Sequence, residues 1–196
     1  MELRTVSGEA LVAAIPALAR LRMTVFREYP YIYDGSEAYE ARYLHAYAAS
    51  GDAMAVLAIA DGAIVGASTG IPMAHESEAF RGPFARLGLD PTGIFYCGES
   101  VLLPAWRGRG IYRAFFRGRE DWARALGGFT RICFCAVERP ADHPLRPRDY
   151  VPLDAVWRHF GYAPEPTLTM QLAWKDVDRD AATGHPMRFW FKALGA

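Results

Sequence analysis

From Trp106 to Glu120 the chain reads WRGRGIYRAFFRGRE, which places Gly108 and Gly110 among arginines directly after an apolar run. A strand that ends in a glycine-rich turn and opens a helix leaves the first N–H groups of that helix without partners. These groups point outward, and the helix dipole favours negative charge there. Glycine lets such a loop approach a phosphate closely. Nucleic acid, a dinucleotide and an acyl carrier would each bring phosphates. The stretch lacks the Lys-Ser/Thr pair of a Walker loop, and Arg113 stands where a dinucleotide fingerprint has its third glycine, which argues against both nucleotide readings.

The elements that must hold this turn are readable. After Gly110, residues Ile111, Ala114, Phe115, Gly118, Trp122 and Ala125 fall at helical spacing, with Arg113, Arg117 and Arg124 on the other side; Gly127-Gly128 ends the helix. IFYCGESVLLP, ending at Pro104, is expected as one long strand before it, and FTRICFCAVE as the strand after it. Strand, crossover helix and strand make a βαβ unit with a parallel pair. Upstream, ELRTV is a strand, and Ser7 caps a helix through Phe26 that Pro16 should kink. A second helix spans residues 36–49, and a hairpin turns at Asp61-Gly62. A polar insertion, 75–93, precedes the long strand. A proline-rich loop, RPADHPLRPRDYVPL, leads to a short helix, DAVWRHFGY. Two alternating strands close the chain: Leu168, Met170, Leu172 and Trp174 share one face, as do Met187, Phe189 and Phe191.

Bulk properties narrow the function. The chain has 196 residues, 52% of them hydrophobic, which suits one α/β domain over 1–196 with a sizeable core. Basic and acidic residues balance at 22 each, so nothing in the totals favours nucleic acid or an anionic membrane, and any phosphate site must be local. Cys97, Cys133 and Cys135 have neither zinc-ligand spacing nor the density of a disulfide scaffold; they read as reduced core thiols of a cytoplasmic protein without a metal site. The apolar stretch ALVAAIPALARL lacks a basic region before it and is soon interrupted by arginine, so neither a signal peptide nor a membrane span is expected.

VLLPAWRGRGIYRAFF resembles the pyrophosphate-binding motif of the GNAT superfamily of N-acetyltransferases, Arg/Gln-x-x-Gly-x-Gly/Ala after a strand ending hydrophobic-x-Pro. Arg107, Gly110, Leu102 and Pro104 match; Tyr112 replaces the small sixth residue. The element order follows the family along nearly the whole chain. The resemblance implies a mixed central sheet with helices on both faces and a parallel pair at the motif strand and the next strand. It also implies acetyl-CoA as co-substrate, with the backbone of Val101, Leu102 and Leu103 pairing with the pantetheine arm. Arg107, Gly108, Arg109, Gly110, Ile111, Tyr112 and Arg113 would surround the pyrophosphate, and Arg117 would reach the outer phosphates.

Transfer from a thioester needs a neutral amine, and a lysine-like amine with a pKa of about 10.4 is almost wholly protonated at pH 7, so a base must take its proton. Glu99 is the candidate, on the motif strand and on one face with Cys97 and Val101; the structural alternative is a buried pair with Arg131 on the adjacent strand. The family often protonates the leaving thiolate with a tyrosine in the short late helix, where alignment on Gly161-Tyr162 puts Trp157 instead. Tyr162, Tyr150 or water is left to substitute. Tyr29, Tyr31 and Tyr33, which would look the same as core-capping rings, are expected with Glu138, His143 and the 75–93 insertion at the acceptor pocket; Glu28, Asp34 and Glu76 hint at a cationic acceptor, a small molecule or a peptide. The expected activity is acyl transfer from CoA to an amine. A module that binds acyl-CoA and catalyses nothing is the rival, and a homodimer is left open.

Overall fold

A computed structural model describes residues 1–195. Its elements are β1 (Glu2–Ser7), α1 (Gly8–Val25), α2 (Glu37–Ala49), β2 (Met54–Ala60), β3 (Ala63–Pro72), α3 (Glu78–Arg86), β4 (Ile94–Tyr96), β5 (Ser100–Leu102), α4 (Ile111–Leu126), β6 (Arg131–Val137), α5 (Asp154–His159), β7 (Ala163–Lys175) and β8 (Ala182–Ala193). The strands form one mixed sheet in the order β1-β2-β3-β4-β6-β8-β7, with β5 also paired to β3. β4 and β6 run parallel, as the βαβ reading expects, and every other strand pair is antiparallel.

Both faces of the sheet are covered because its inner strands are apolar on both sides. Leu11, Leu18 and Leu21 of α1, Leu44 and Tyr47 of α2, and Phe80 and Phe84 of α3 pack on one face with Val101, Met170 and Phe189. On the other, Ile111, Phe115 and Phe116 of α4 pack with Val56, Phe95, Leu102 and Phe134, joined by Trp157 and Phe160 around α5. α4 sits close to the sheet: a Cβ at Gly118 would press on the side chain of Val56. α1 runs without a break through Pro16.

The motif strand is not continuous. Cys97–Glu99 leave the ladder between β4 and β5, and the alternation breaks there: Cys97 packs toward α4, whereas Glu99 and Val101 face α1 and α2. The expectation that Cys97, Glu99 and Val101 share a face is therefore corrected. Gly98 is the reason, since the hydroxyls of Tyr47, Thr69 and Tyr43 crowd it so tightly that a Cβ would collide with them. Before the break the chain still bonds to β6, with Cys97 N–H donating to Cys133 O at 2.8 Å; after it, Thr69 N–H on β3 donates to Glu99 O at 3.1 Å. The two halves of the sheet part here, and a cleft opens between β5 and β6.

Candidate active site

The cleft has a volume of about 1410 Å³. Its floor includes Ser100 and Leu102 of β5 and Ala136 and Val137 of β6, and it reaches Gly108, Gly110, Ile111 and Tyr112 at the start of α4. Gly110 caps that helix with φ 78° and Gly108 has φ 74°, a left-handed backbone that glycine adopts without strain. Among the described residues the N–H groups of Gly108 to Tyr112 have no backbone acceptor, while Arg113 N–H donates to Gly110 O at 3.1 Å. The expected cradle thus ends one residue earlier than the sequence suggested. A Cβ at Gly108 or Gly110 would meet no protein atom, so the space before these N–H groups is open.

The arginines around the turn are differently placed. Arg107 is exposed but folds back on the turn, its Nε donating to Leu102 O at 3.2 Å and its Nη1 pairing with Glu28 at 2.9 Å. Arg109 donates to Ala105 O and lies over the Trp106 ring. Arg113 and Arg117 are exposed, with no ion pair among the described residues.

β5 offers fewer free backbone groups than expected. Leu103 N–H donates to Val65 O at 3.0 Å, and Val101 lies opposite Ala67 in the same ladder, so by antiparallel alternation both are committed to β3. Only Ser100 and Leu102 turn their N–H groups toward the cleft. For Val101 and Leu103 a direct backbone bond to a ligand is corrected on this ground.

The walls come from two loops. Tyr29 and Tyr31 line the cleft from the α1–α2 loop; Leu145, Arg146, Tyr150, Val151 and Leu153 line it from the β6–α5 loop. Tyr29 bridges them, its ring edge-on to Tyr150 with centroids 4.6 Å apart and 5.9 Å from His143. Arg139 anchors the first loop: it pairs bidentately with Asp176 at 2.8 Å and donates to Pro30 O and Tyr31 O at 2.8 and 2.7 Å. Glu138 lines the cleft, half-exposed, with Arg188 Nε donating to it at 2.6 Å. Tyr112, replacing the small residue of the motif, turns toward α5, and its hydroxyl accepts Trp157 Nε1–H at 3.1 Å. Burial raises the Tyr112 phenol above its ordinary pKa, so it stays protonated.

Four expected catalytic or acceptor residues, Glu99, Tyr162, Tyr33 and His143, lie outside the cleft lining, His143 beside Tyr29, and no residue of 75–93 lines it. Glu99 is buried on the α1 and α2 side, and its partner is Arg22, not Arg131. Arg22 also donates to Glu40; Thr69 Oγ1 donates to Glu99 at 2.9 Å and Tyr43 OH at 3.3 Å. Burial works against the charge of Arg22, but Glu99, Tyr43 and Glu40 hold it protonated, above its ordinary range. Both oxygens of Glu99 are thus occupied, and it is not among the cleft-lining residues. Tyr162 is buried under α4, its hydroxyl donating to Glu120 at 3.3 Å, which keeps it from the cleft. Tyr33 is buried with its hydroxyl on Glu40 at 2.9 Å.

The acids that hinted at a cationic acceptor are also spoken for. Glu28 pairs with Arg107, Asp34 with Arg27 and Lys175, and Glu76 is buried away from the cleft. Sequence reasoning missed Arg22, Arg139 and Ser100. Arg22 reads as an interruption of an apolar helix, which was itself a signal that the helix buries a charge needing acids.

Among the described residues no helix is long and apolar enough to cross a membrane, and no cluster of His, Cys, Asp or Glu could hold a metal. Among curated proteins none matches the chain. Several solved structures share its fold. A ribosomal-protein-alanine N-acetyltransferase from Brucella melitensis is 16% identical, with a TM-score of 0.60 over 98% of this chain and 99% of that one. An acyl-CoA N-acyltransferase from Pseudomonas aeruginosa is 16% identical, with a TM-score of 0.59 over 98% and 99%. NAA60 of Arabidopsis thaliana, solved with acetyl-CoA, is 12% identical, with a TM-score of 0.61 over 100% and 99%. The model of the acetyltransferase (GNAT) family matches residues 17–147, well over half of the chain, and together with the split sheet and the glycine cradle it establishes that the chain belongs to the GNAT acetyltransferase family.

Proposed function

We propose that this protein transfers an acetyl group from acetyl-CoA to an amine. The observation that carries the reading is the continuity of one cleft, from the N–H groups of Ser100 and Leu102 at the split in the sheet to the free N–H groups of Gly108 to Tyr112. An extended arm with amide groups suits the first set and a pyrophosphate the second. The open space before Gly110 fits a phosphate that a side chain would displace. The solved relative with bound acetyl-CoA supports the choice of donor.

Acetyl-CoA supplies the activated acyl group; the chain supplies position and protons. Ser100 N–H, at the innermost point of the edge, is the donor for the thioester carbonyl oxygen as charge builds on it. Glu138, directly after β6, takes the proton of the attacking amine, directly or through water. Glu99 is architectural in this reading, because a base must have an oxygen free to face the amine. Tyr112 serves the leaving sulfur: its lone pair is engaged by Trp157, which leaves its own proton to point into the cleft.

The test is thermal unfolding with CoA, acetyl-CoA, NAD and ATP, followed by thiol release from acetyl-CoA across small amines, amino acids and peptides. CoA and acetyl-CoA should raise the melting temperature most, by an amount corresponding to about 2.7 kcal/mol at a hundredfold excess over Kd. Equal responses to all four ligands would refute the donor assignment. Stabilisation by acetyl-CoA with no amine acylated would replace the enzyme by a binding module.

A further inference from the structure

The hydroxyls of Ser68 and Ser100 lie 2.8 Å apart, on residues directly opposite each other in the β3–β5 ladder. Ser68 is fully buried, and its hydroxyl donates to the main-chain oxygen of Glu99 at 3.0 Å. A hydroxyl carries one proton. Glu99 O can only accept, and with the Ser68 proton on it the Ser68 oxygen accepts from Ser100. The Ser100 proton therefore points back at Ser68. The hydrogen bonds acquire a direction, from Ser100 to Ser68 to the carbonyl at the break in the motif strand.

Ser100 is half-buried and lines the cleft. With its proton turned away, its Oγ shows the cleft lone pairs only. A carbonyl or a thiolate finds no donor in that hydroxyl, whereas an N–H finds an acceptor held in a fixed orientation. We infer that Ser100 Oγ is a ligand-positioning acceptor that takes an N–H of the bound reactants, from an amide of the pantetheine arm or from the attacking amine. The inference rests on the acyl-CoA reading above and adds a group of opposite polarity beside the outward N–H of the same residue. Ser68 acts through Ser100 by fixing where its proton goes.

The experiment compares Ser100→Ala, Ser100→Thr, Ser68→Ala and the Ser68→Ala/Ser100→Ala double variant. CoA affinity is measured by calorimetry, and kcat and KM for the best amine are measured at saturating acetyl-CoA. Ser100→Ala should lose about tenfold, the effect of one directional hydrogen bond left unmade. A loss in CoA affinity assigns the N–H to the pantetheine arm; a loss in kcat/KM for the amine with CoA affinity intact assigns it to the acceptor. Ser100→Thr should recover most of the loss. Ser68→Ala frees the Ser100 proton to compete in the cleft, so it should move the same parameter, and the double variant should be no worse than Ser100→Ala alone. Wild-type behaviour of Ser100→Ala in both measurements, or additive losses in the double variant, would overturn the inference while the acyl-CoA reading stands. A wild type that binds no CoA overturns both.

Discussion

The carboxylate of Glu99 and the guanidinium of Arg22 are locked together in the interior, with none of the carboxylate side chain exposed and 7% of the arginine side chain. One cation here answers two buried acids, because Glu40 binds the same guanidinium. The pair joins α1 to the break in the motif strand, so it holds the edge of the cleft from behind.

Removing the cation should be costly. Arg22→Met leaves Glu40 and Glu99 buried without a counter-charge, and a loss of about 3–5 kcal/mol is expected in denaturant unfolding. Glu99→Gln should lose less stability, and its acyl transfer per folded molecule should match the wild type. A selective loss of turnover in well-folded Glu99→Gln would restore Glu99 as the base.

Glu138→Gln tests the cleft-side base. Turnover at pH 7 should fall by about a hundredfold, with partial recovery at high pH where the amine is already neutral. Stabilisation by acetyl-CoA should persist. A flat comparison with the wild type across the pH range would remove Glu138 from the reaction.

Two phenols separate the cleft from the core beside it. Tyr112→Phe keeps the packing against Phe116 but deletes the hydroxyl bonded to Trp157, and kcat should drop by about tenfold or more. Tyr162→Phe breaks a buried bond to Glu120 and should cost about 1 kcal/mol of stability with kcat unchanged. The reverse pattern in steady-state rates would exchange their roles.

Gly110→Val forces a β-branched residue to φ 78° and fills the space before the free N–H groups. CoA should no longer raise the melting temperature of this variant. Arg117→Ala, which trims an exposed helix position, should bind CoA almost as the wild type does. Equal losses in both would identify a basic surface rather than a backbone cradle.

Glu76 gives the fold a pH dependence of definite sign. Burial, against the opposing bond from Ser77 N–H, raises its pKa from 4.5 to about 7. The folded state thus prefers the protonated acid, so its contribution is full below about 4.5 and is lost as pH rises through about 7. The difference corresponds to about 3 kcal/mol between those limits. Unfolding at pH 5 and pH 8 should show it, and Glu76→Gln should be the more stable protein at pH 8. An unchanged slope in that variant would place the titration elsewhere.

Much of the fold was legible because its signals are local. The 3.6-residue spacing from Ile111 to Ala125, the Asp61-Gly62 turn and the alternation of Leu168 to Trp174 each report on neighbours in sequence. The parallel pair followed from the helical crossover, which carries the chain back to the same end of the sheet. Glycine at 108 and 110 permits the φ near +75° that both positions adopt, which a sequence marks as allowed and not as fixed. The partner of Glu99 was not legible, because Arg22 lies 77 positions away and its burial depends on how α1 docks. Nor could the sequence show that Gly98 reverses the alternation, which moved Glu99 to the far face; the collision it avoids is with hydroxyls from α2 and β3.

Arg139 ties Pro30, Tyr31 and Asp176 together just after β6, and with Val177 N–H on Ile32 O and Trp174 Nε1–H on Tyr31 O it fastens one wall of the cleft to the sheet. Across from it, the hydrogen bonds of residues 140–152 stay within that loop among the described residues. The two walls therefore differ in evolvability. Substitutions in the tethered segment must respect carbonyl positions set by a distant guanidinium, whereas the proline-rich segment is free to exchange Leu145, Val151 or Leu153 without unfastening anything else. Libraries aimed at a new acceptor belong in 145–153, and natural divergence in substrate choice among proteins with this anchor should concentrate there.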